Sequence, residues 1–423
     1  MGPTPFLGYT VRMNSIWPRC IALSDQNCFF AAIEQRDFPK LQGKPVCVTN
    51  GMVGTTIITS SYEARAFGIK TGMRIQEARK LCPHLIQRGT RPKIYAEVST
   101  AIMDALALHV TDRIEVFSVD EAFLDLTSSQ RLLGTPEQMG ALIKKTVFNA
   151  SGLYCSVGIS TDKTIAKYAA KQKKPDGLTI IPPDQVQSVM QHVPVEQLCG
   201  IGPGLKVFLN ARGVHTCGDM QKIPISVLAE RFGNVGRRIW LMAQGLDPEP
   251  VKTSINAPKS IGHGKVLPPK TKDKKQLLMY YQHMSERVAA RLRKHGMVVN
   301  KYFIGWQSYD DAYGSIVNCS PTNDGKLIFE LCKKMLDAHW NGQSIFSIQV
   351  TAIEPHADVG QADLFSTVQT QKQENKEINK AIDAINSKFG KNMVRKGLMI
   401  DDLETPDVIS PAWKPSGHRQ TIN

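Results

Sequence analysis

The sequence predicts an α+β chain of several domains, whose first domain carries a carboxylate site where a pair of strands bends. Three observations lead there. The chain has 423 residues, longer than one hydrophobic core usually organises, so about two to four domains are expected. Up to Lys174, short β-branched runs alternate with helical stretches, a mixed pattern. The segment Ser118-Val119-Asp120-Glu121-Ala122-Phe123-Leu124-Asp125 sets two adjacent acids between apolar, strand-like flanks.

Taken in order, residues 19–24 (Arg-Cys-Ile-Ala-Leu-Ser) read as a short buried strand running into Asp25, and residues 28–36 as a helix. Val46-Cys47-Val48 and Thr55-Thr56-Ile57-Ile58-Thr59 read as strands separated by Gly51 and Gly54. Ile94, Val98, Ile102 and Leu106 recur near helical spacing and predict a helix over 92–110. Arg113–Val116 alternates as a strand does and Ala122–Thr127 resumes it, giving a hairpin with Asp120 and Glu121 at or near its bend. Successive strand side chains face opposite ways, so both acids can serve one site only if the chain bends there. A helix over 137–150, a strand over 154–159 and a lysine-rich helix over 161–174 complete the first domain. A second unit begins near Pro182 and holds Gly200-Ile201-Gly202 between short helical stretches. The stretch 252–260 reads as a linker, 261–355 as a third α+β unit, and the polar tail carries a helix around 373–389.

Adjacent ionised carboxylates repel, and burying them is costly unless they are neutralised. A divalent cation does this, and hard oxygen ligands suit magnesium. Asp25, which also ends an apolar run, is the natural third acid. The bland alternatives are a helix N-cap for Asp25 and an exposed turn for Asp120-Glu121.

The formal net charge of +14 favours a polyanionic partner, nucleic acid first. Between Lys252 and Lys301 lie twelve basic residues and only two acids, Asp273 and Glu286. A surplus concentrated on a linker and the element after it fits contact with a phosphate backbone. No apolar run approaches the roughly 18 residues of a membrane span. Pro3, Pro5 and Pro18 interrupt any signal-peptide pattern. The nine cysteines contain no C-x-x-C pair, which argues against zinc or a disulfide framework and for a reducing compartment. A cytoplasmic protein without a membrane partner is expected.

Five motifs in order carry a resemblance: Asp25 with Phe29-Phe30, Tyr62-Glu63-Ala64-Arg65, Ser118-Val119-Asp120-Glu121-Ala122, Val157-Gly158-Ile159-Ser160 with Lys163, and Lys174-Pro175-Asp176-Gly177. Together they resemble the Y-family, or translesion, DNA polymerases over about residues 19–355. The resemblance implies a right-hand polymerase: a palm over 19–185 with small fingers inserted at about 31–90, a helix-hairpin-helix thumb over 186–250, and an α+β little finger over 255–356. Residues 1–18 are an extension and 357–423 a tail. It implies two magnesium ions held by Asp25, Asp120, Glu121 and the Gln26 backbone carbonyl, and a deoxynucleoside triphosphate held by Thr59, Tyr62, Arg65 and Lys174. Phe29 and Phe30 belong to the nucleotide site, with Phe30 as the steric gate against a ribose 2′-hydroxyl. Gly200, Gly202, Lys259 and Ser260 are implied contacts to primer-template DNA. Gln361-Ala362-Asp363-Leu364-Phe365 is similar to a bacterial sliding-clamp peptide, with Gln361, Leu364 and Phe365 as anchors. Asn27 and residues 381–390 resemble the UmuC-like branch, the catalytic subunit of DNA polymerase V, for which accessory proteins are expected partners. A catalytically silent, clamp-tethered relative is the competing reading, but it is not expected to keep the three acids.

Overall fold

The computed structural model describes residues 16–52, 55–254, 258–358, 369–389 and 393–394. It divides after Ser254 into two compact units. Among the described residues, no helix is long and apolar enough to cross a membrane.

The first unit opens with strand β1 (Ile21–Gln26), buried along its whole length. Helix α1 (Phe29–Asp37) follows after a two-residue turn. A small sheet comes next: β2 (Val46–Thr49), β3 (Ile57–Ser60), the short helices α2 (Tyr62–Ala66) and α3 (Ile75–Leu81), and β4 (Ile86–Gly89), with strand order β3-β2-β4. β4 lies parallel to β2. Its sequence, Ile-Gln-Arg-Gly, has no strand signature, so the sequence pattern missed it; pairing to β2 makes it a strand.

Helix α4 (Pro92–His109) leads to the hairpin β5 (Ile114–Val116) and β6 (Glu121–Asp125), then to the single turn α5 (Gln130–Leu133), α6 (Pro136–Ser151), β7 (Cys155–Ser160), α7 (Lys163–Gln172) and β8 (Leu178–Ile180). These strands form one sheet with β1 at its centre, in the order β5-β6-β1-β7-β8. β1 runs antiparallel to both neighbours, Asp25 opposite Glu121 on one side and Ser156 on the other.

Period-two alternation sorts β1 onto two cores. Cys20 and Ala22 face the cluster built by α4 and α6. Ile21 and Leu23 join Phe123 against Ala166 and Ala170 of α7. Asp25 and Glu121 continue that second set, so they lie on the α7 face of the sheet. α7 comes unusually close: a Cβ added at Gly158 would sit 2.1 Å from the Ala166 carbonyl oxygen. The helix is shorter than its pattern predicted. Asp162 caps it by accepting the Ile165 N–H at 2.9 Å, and Lys173–Gly177 form a separate loop.

The rest of this unit is helical: α8 (Val186–Met190), α9 (Pro203–Asn210) and α10 (Ile225–Ala243), the last broken at Gly233. Their core includes Ile165 and Ala169 of α7. Asp247, fully buried, holds the end of this region. It accepts both Nε and Nη2 of Arg238 (2.9 and 3.0 Å) and the Thr164 hydroxyl (2.8 Å).

In the second unit, β9 (Ser260–Thr271), β10 (Met297–Ser308), β11 (Ala312–Thr322) and β12 (Ile345–Ile353) form a sheet in the order β11-β10-β12-β9, with β13 (His356–Ala357) on β10. Helices α11 (Lys274–Lys294) and α12 (Gly325–His339) cover one face, around Tyr281, Leu292, Trp306 and Leu336. Helix α13 (Gln369–Phe389) is fastened to this unit by Arg293, which donates to both carboxylate oxygens of Asp383 at 2.6 and 2.8 Å. Gln361, Leu364 and Phe365 lie outside the described residues.

Two glycines give a stability test. Gly158→Ala is expected to lower unfolding stability by roughly 2–3 kcal/mol, because β7 and α7 must part. Gly202→Ala, at φ −85° with nothing within 4 Å of the new Cβ, should stay within about 0.5 kcal/mol. Urea denaturation of both variants checks the contrast.

Candidate active site

The C-terminal end of β1, the β5–β6 turn and the first residue of β6 meet at one cleft of about 310 Å³. Asp25, Asp120 and Glu121 line it together. The Gln26 N–H donates to the Asp120 carbonyl at 2.9 Å, which holds the turn against β1. This is the bend that two neighbouring acids require. Asp120 stays in the turn, and Glu121 enters the sheet opposite Asp25.

Each acid has a local counterweight. The Lys174 ammonium lies 2.5 Å from Asp25 Oδ1, and the Lys167 ammonium 2.5 Å from Glu121 Oε1. Asp120 accepts the Ser118 hydroxyl at 2.6 Å. Burial, only partly offset by Lys174, raises the Asp25 carboxyl above its ordinary range. Burial, and then the charge of Glu121, pushes Asp120 up to about 6. Among the described residues, no three acidic, histidine or cysteine side chains converge closely enough to enclose an ion by themselves. The donor set still suits magnesium, which binds through one or two carboxylates plus substrate phosphates rather than in an all-protein cage. The buried Asp120 carboxyl, held by the uncharged Ser118 hydroxyl, is a group that an added cation would relieve.

The cleft has an aromatic floor. Cys28, at φ 40°, turns the chain from β1 into α1 and delivers Phe30 to the cleft. The Phe30 ring stacks on Tyr95, with centroids 4.5 Å apart and planes at 22°. The Tyr95 hydroxyl donates to Glu34 at 2.8 Å. Glu34, fully buried, also accepts Arg88 Nε at 3.0 Å and Arg91 Nε at 2.7 Å. Phe29 lines the same cleft and is almost fully buried.

Thr59 and Arg65 complete the wall, and Gln26 lines it too. Arg65 sits three residues after Tyr62 on α2, with its guanidinium 4.8 Å from the Tyr62 ring centroid and its Nε donating to the Ser60 carbonyl at 3.0 Å. Tyr62 borders the cleft without lining it. Burial raises its phenol, and Asn27 lies beside its hydroxyl. Gly200 and Gly202 are not lining residues; they form the turn ahead of α9, with Gly200 at φ 97°. Ser260 opens β9 in the second unit, and Lys259 precedes it.

Sequence reasoning missed Lys167, Ser118 and Tyr95. Lys167 follows Lys163 by four residues, the spacing of one helix face, but only the packing of α7 against β6 shows which acid it meets. Tyr95 falls within the periodic run of α4 and reads as core.

Comparisons with known proteins bear on the family. A model described as the impB/mucB/samB family matches residues 24–171, its C-terminal domain matches 258–364, and the thumb domain of DNA polymerase-iota matches 196–247. The DNA polymerase IV of Moorella thermoacetica is 33% identical over 390 residues, covering 90% of this chain and 96% of that protein. That of Desulfatibacillum aliphaticivorans is 32% identical over 385 residues, with the same coverage. A solved Y-family DNA polymerase chimera, 28% identical, aligns with a TM-score of 0.69 over 80% of this chain and 100% of its own. The chain belongs to the Y-family DNA polymerases, the translesion enzymes that extend a primer on a DNA template.

The raised Asp120 pKa has a sign that can be tested. A carboxyl at about 6 in the fold and 3.8 in its ordinary state destabilises the metal-free fold above pH 6, and the penalty vanishes as pH falls towards 4. Asp120→Asn is therefore expected to stabilise the metal-free protein by about 1–2 kcal/mol at pH 7.5. At pH 4 it should change stability little. Denaturation in chelator at both pH values measures the difference.

Proposed function

We propose that the chain adds a deoxynucleotide to a primer 3′-hydroxyl by two-metal nucleotidyl transfer, in an open site suited to damaged templates. The observation that carries this is the meeting, in one cleft, of three acids, an aromatic plate and two cationic side chains. Asp25, Asp120, the Gln26 backbone carbonyl on the nucleotide side and Glu121 on the primer side would hold two magnesium ions. When bound, they would supply activation of the primer hydroxyl and neutralisation of the pyrophosphate leaving group. Arg65 forks onto triphosphate oxygens, Lys174 serves as a point charge, and Thr59 and Tyr62 donate hydroxyls. Lys174 exchanges Asp25 for a phosphate when the nucleotide arrives. Phe30, braced by Tyr95, fills the space beneath the sugar, leaving no room for a 2′-hydroxyl, and Phe29 backs it.

The working divisions follow: palm 19–185 with fingers at about 31–90, thumb 186–250, little finger 255–356. Gly200 and Gly202 expose backbone N–H groups to a DNA phosphate, and Lys259 and Ser260 begin a basic strand that grips the duplex without reading sequence. Gln361, Leu364 and Phe365 dock the chain on a bacterial sliding clamp in the cytoplasm. Within the family, the relatives above are named DNA polymerase IV. Asn27 and the tail favour the UmuC-like branch, in which accessory proteins complete the enzyme.

Primer extension with magnesium, on intact and abasic templates, tests the core of this. Wild type should extend both, and Asp120→Ala neither; extension by Asp120→Ala equal to wild type overturns the metal assignment. Extension by the purified chain alone would side with the DNA polymerase IV relatives, and strict dependence on a partner protein with the UmuC-like branch. Phe30→Ala should raise ribonucleotide insertion by roughly tenfold or more, read from single-nucleotide kinetics with paired ribo- and deoxynucleotides. Substituting Gln361, Leu364 and Phe365 together by Ala should abolish clamp binding in a direct binding assay and leave clamp-free extension intact.

A further inference from the structure

We infer that Asn27 is a positioning residue: its amide pins the Lys174–Gly177 loop to the end of β1 and so aims the Lys174 ammonium into the cleft. The role rests on the nucleotidyl-transfer assignment above, in which Lys174 meets the triphosphate.

The hydrogen bonds define the amide's orientation. The Asp176 backbone N–H, which can only donate, points at Asn27 Oδ1 at 2.7 Å. Asn27 Nδ2 therefore faces Ser156 Oγ and donates to it at 2.9 Å. The same Ser156 oxygen accepts the Gly177 N–H at 3.3 Å. Asn27 is almost fully buried, and its own N–H donates to the Tyr154 carbonyl at 3.0 Å. Two residues upstream, on β1, Asp25 receives Lys174. Strand and loop are thus tied at both ends of a short circuit, Asn27 to Asp176 and Asp25 to Lys174.

The loop needs such a tie. Asp176 sits at φ 54°, a conformation side-chain-bearing residues rarely adopt unless held there. At Gly177 an added Cβ would fall 1.9 Å from the Lys173 carbonyl oxygen. From the solvent side, Lys144 pairs with Asp176 at 3.0 Å. Aspartate at position 27 could accept the same N–H, but it would bring a fourth carboxylate beside Asp25, Asp120 and Glu121, facing a polyanionic substrate. The amide gives the tie without the charge.

Two measurements test this. In single-nucleotide insertion kinetics, Asn27→Ala should raise KM for the nucleotide roughly threefold to tenfold, the scale of a lost buried hydrogen bond, with kcat changed less than about twofold. Asn27→Ala combined with Lys174→Ala should be no worse than Lys174→Ala alone, because both act through one ammonium. Hydrogen exchange on the nucleotide-free protein should show faster exchange at Asp176 and Gly177 in Asn27→Ala, unchanged exchange in β6, and protection at Asp176 restored in Asn27→Asp. An unchanged KM, or a double variant worse by the full product of the single effects, overturns the role. So does unaltered exchange at Asp176. If wild type extends no primer, the catalytic assignment fails, while the exchange experiment still decides whether Asn27 holds the loop.

Discussion

Three acids gathered at the C-terminal end of a fully buried strand and the turn beside it are the constraint around which the first unit is built. β1 is enclosed by β6 and β7 at its edges and by helices on both faces. Charge can survive there only where the sheet runs out and something positive reaches in. Lys174 arrives from the loop after α7 and Lys167 from the helix itself. The unit thus supplies positive charge to Asp25 and Glu121 from its own chain.

The small sheet is coupled to this centre through a second buried charge. Glu34 on α1 gathers Arg88 and Arg91, at the end of β4 and just beyond it, with Tyr95 of α4. Breaking such a cluster costs several kcal/mol because the remaining partners stay buried and unpaired. Through Tyr95 the cluster reaches Phe30. The Phe30 ring is thereby held by stacking on Tyr95, which the buried charge cluster fixes in turn.

Much of this was readable from sequence, for definite reasons. The hairpin around Asp120 and Glu121 was legible because apolar, alternating flanks met at adjacent acids. The division near residue 254 was legible because prolines and basic polar residues replaced the apolar pattern. β4 was hidden because its residues are ordinary and its strand character comes from its partner. Lys167 was hidden for a related reason. One face of α7 could be drawn from spacing, but which acid it met depended on Gly158 letting the helix settle onto β7. Asn27 was visible in the sequence only as a branch resemblance, since its partners lie 129 and 149 residues away.

Helix α7 has little surface left to vary. Six of its ten residues are buried. Ile165 and Ala169 serve the helical region, Ala166 and Ala170 the sheet, Lys167 the cleft, and Lys163 reaches Glu115 at 2.7 Å. Sequence drift in these ten positions must satisfy three neighbours at once, so a library aimed at altered damage tolerance would find α7 nearly closed to it. The permissive ground is the exposed end at Lys171 and Gln172, next to the loop that carries Lys174.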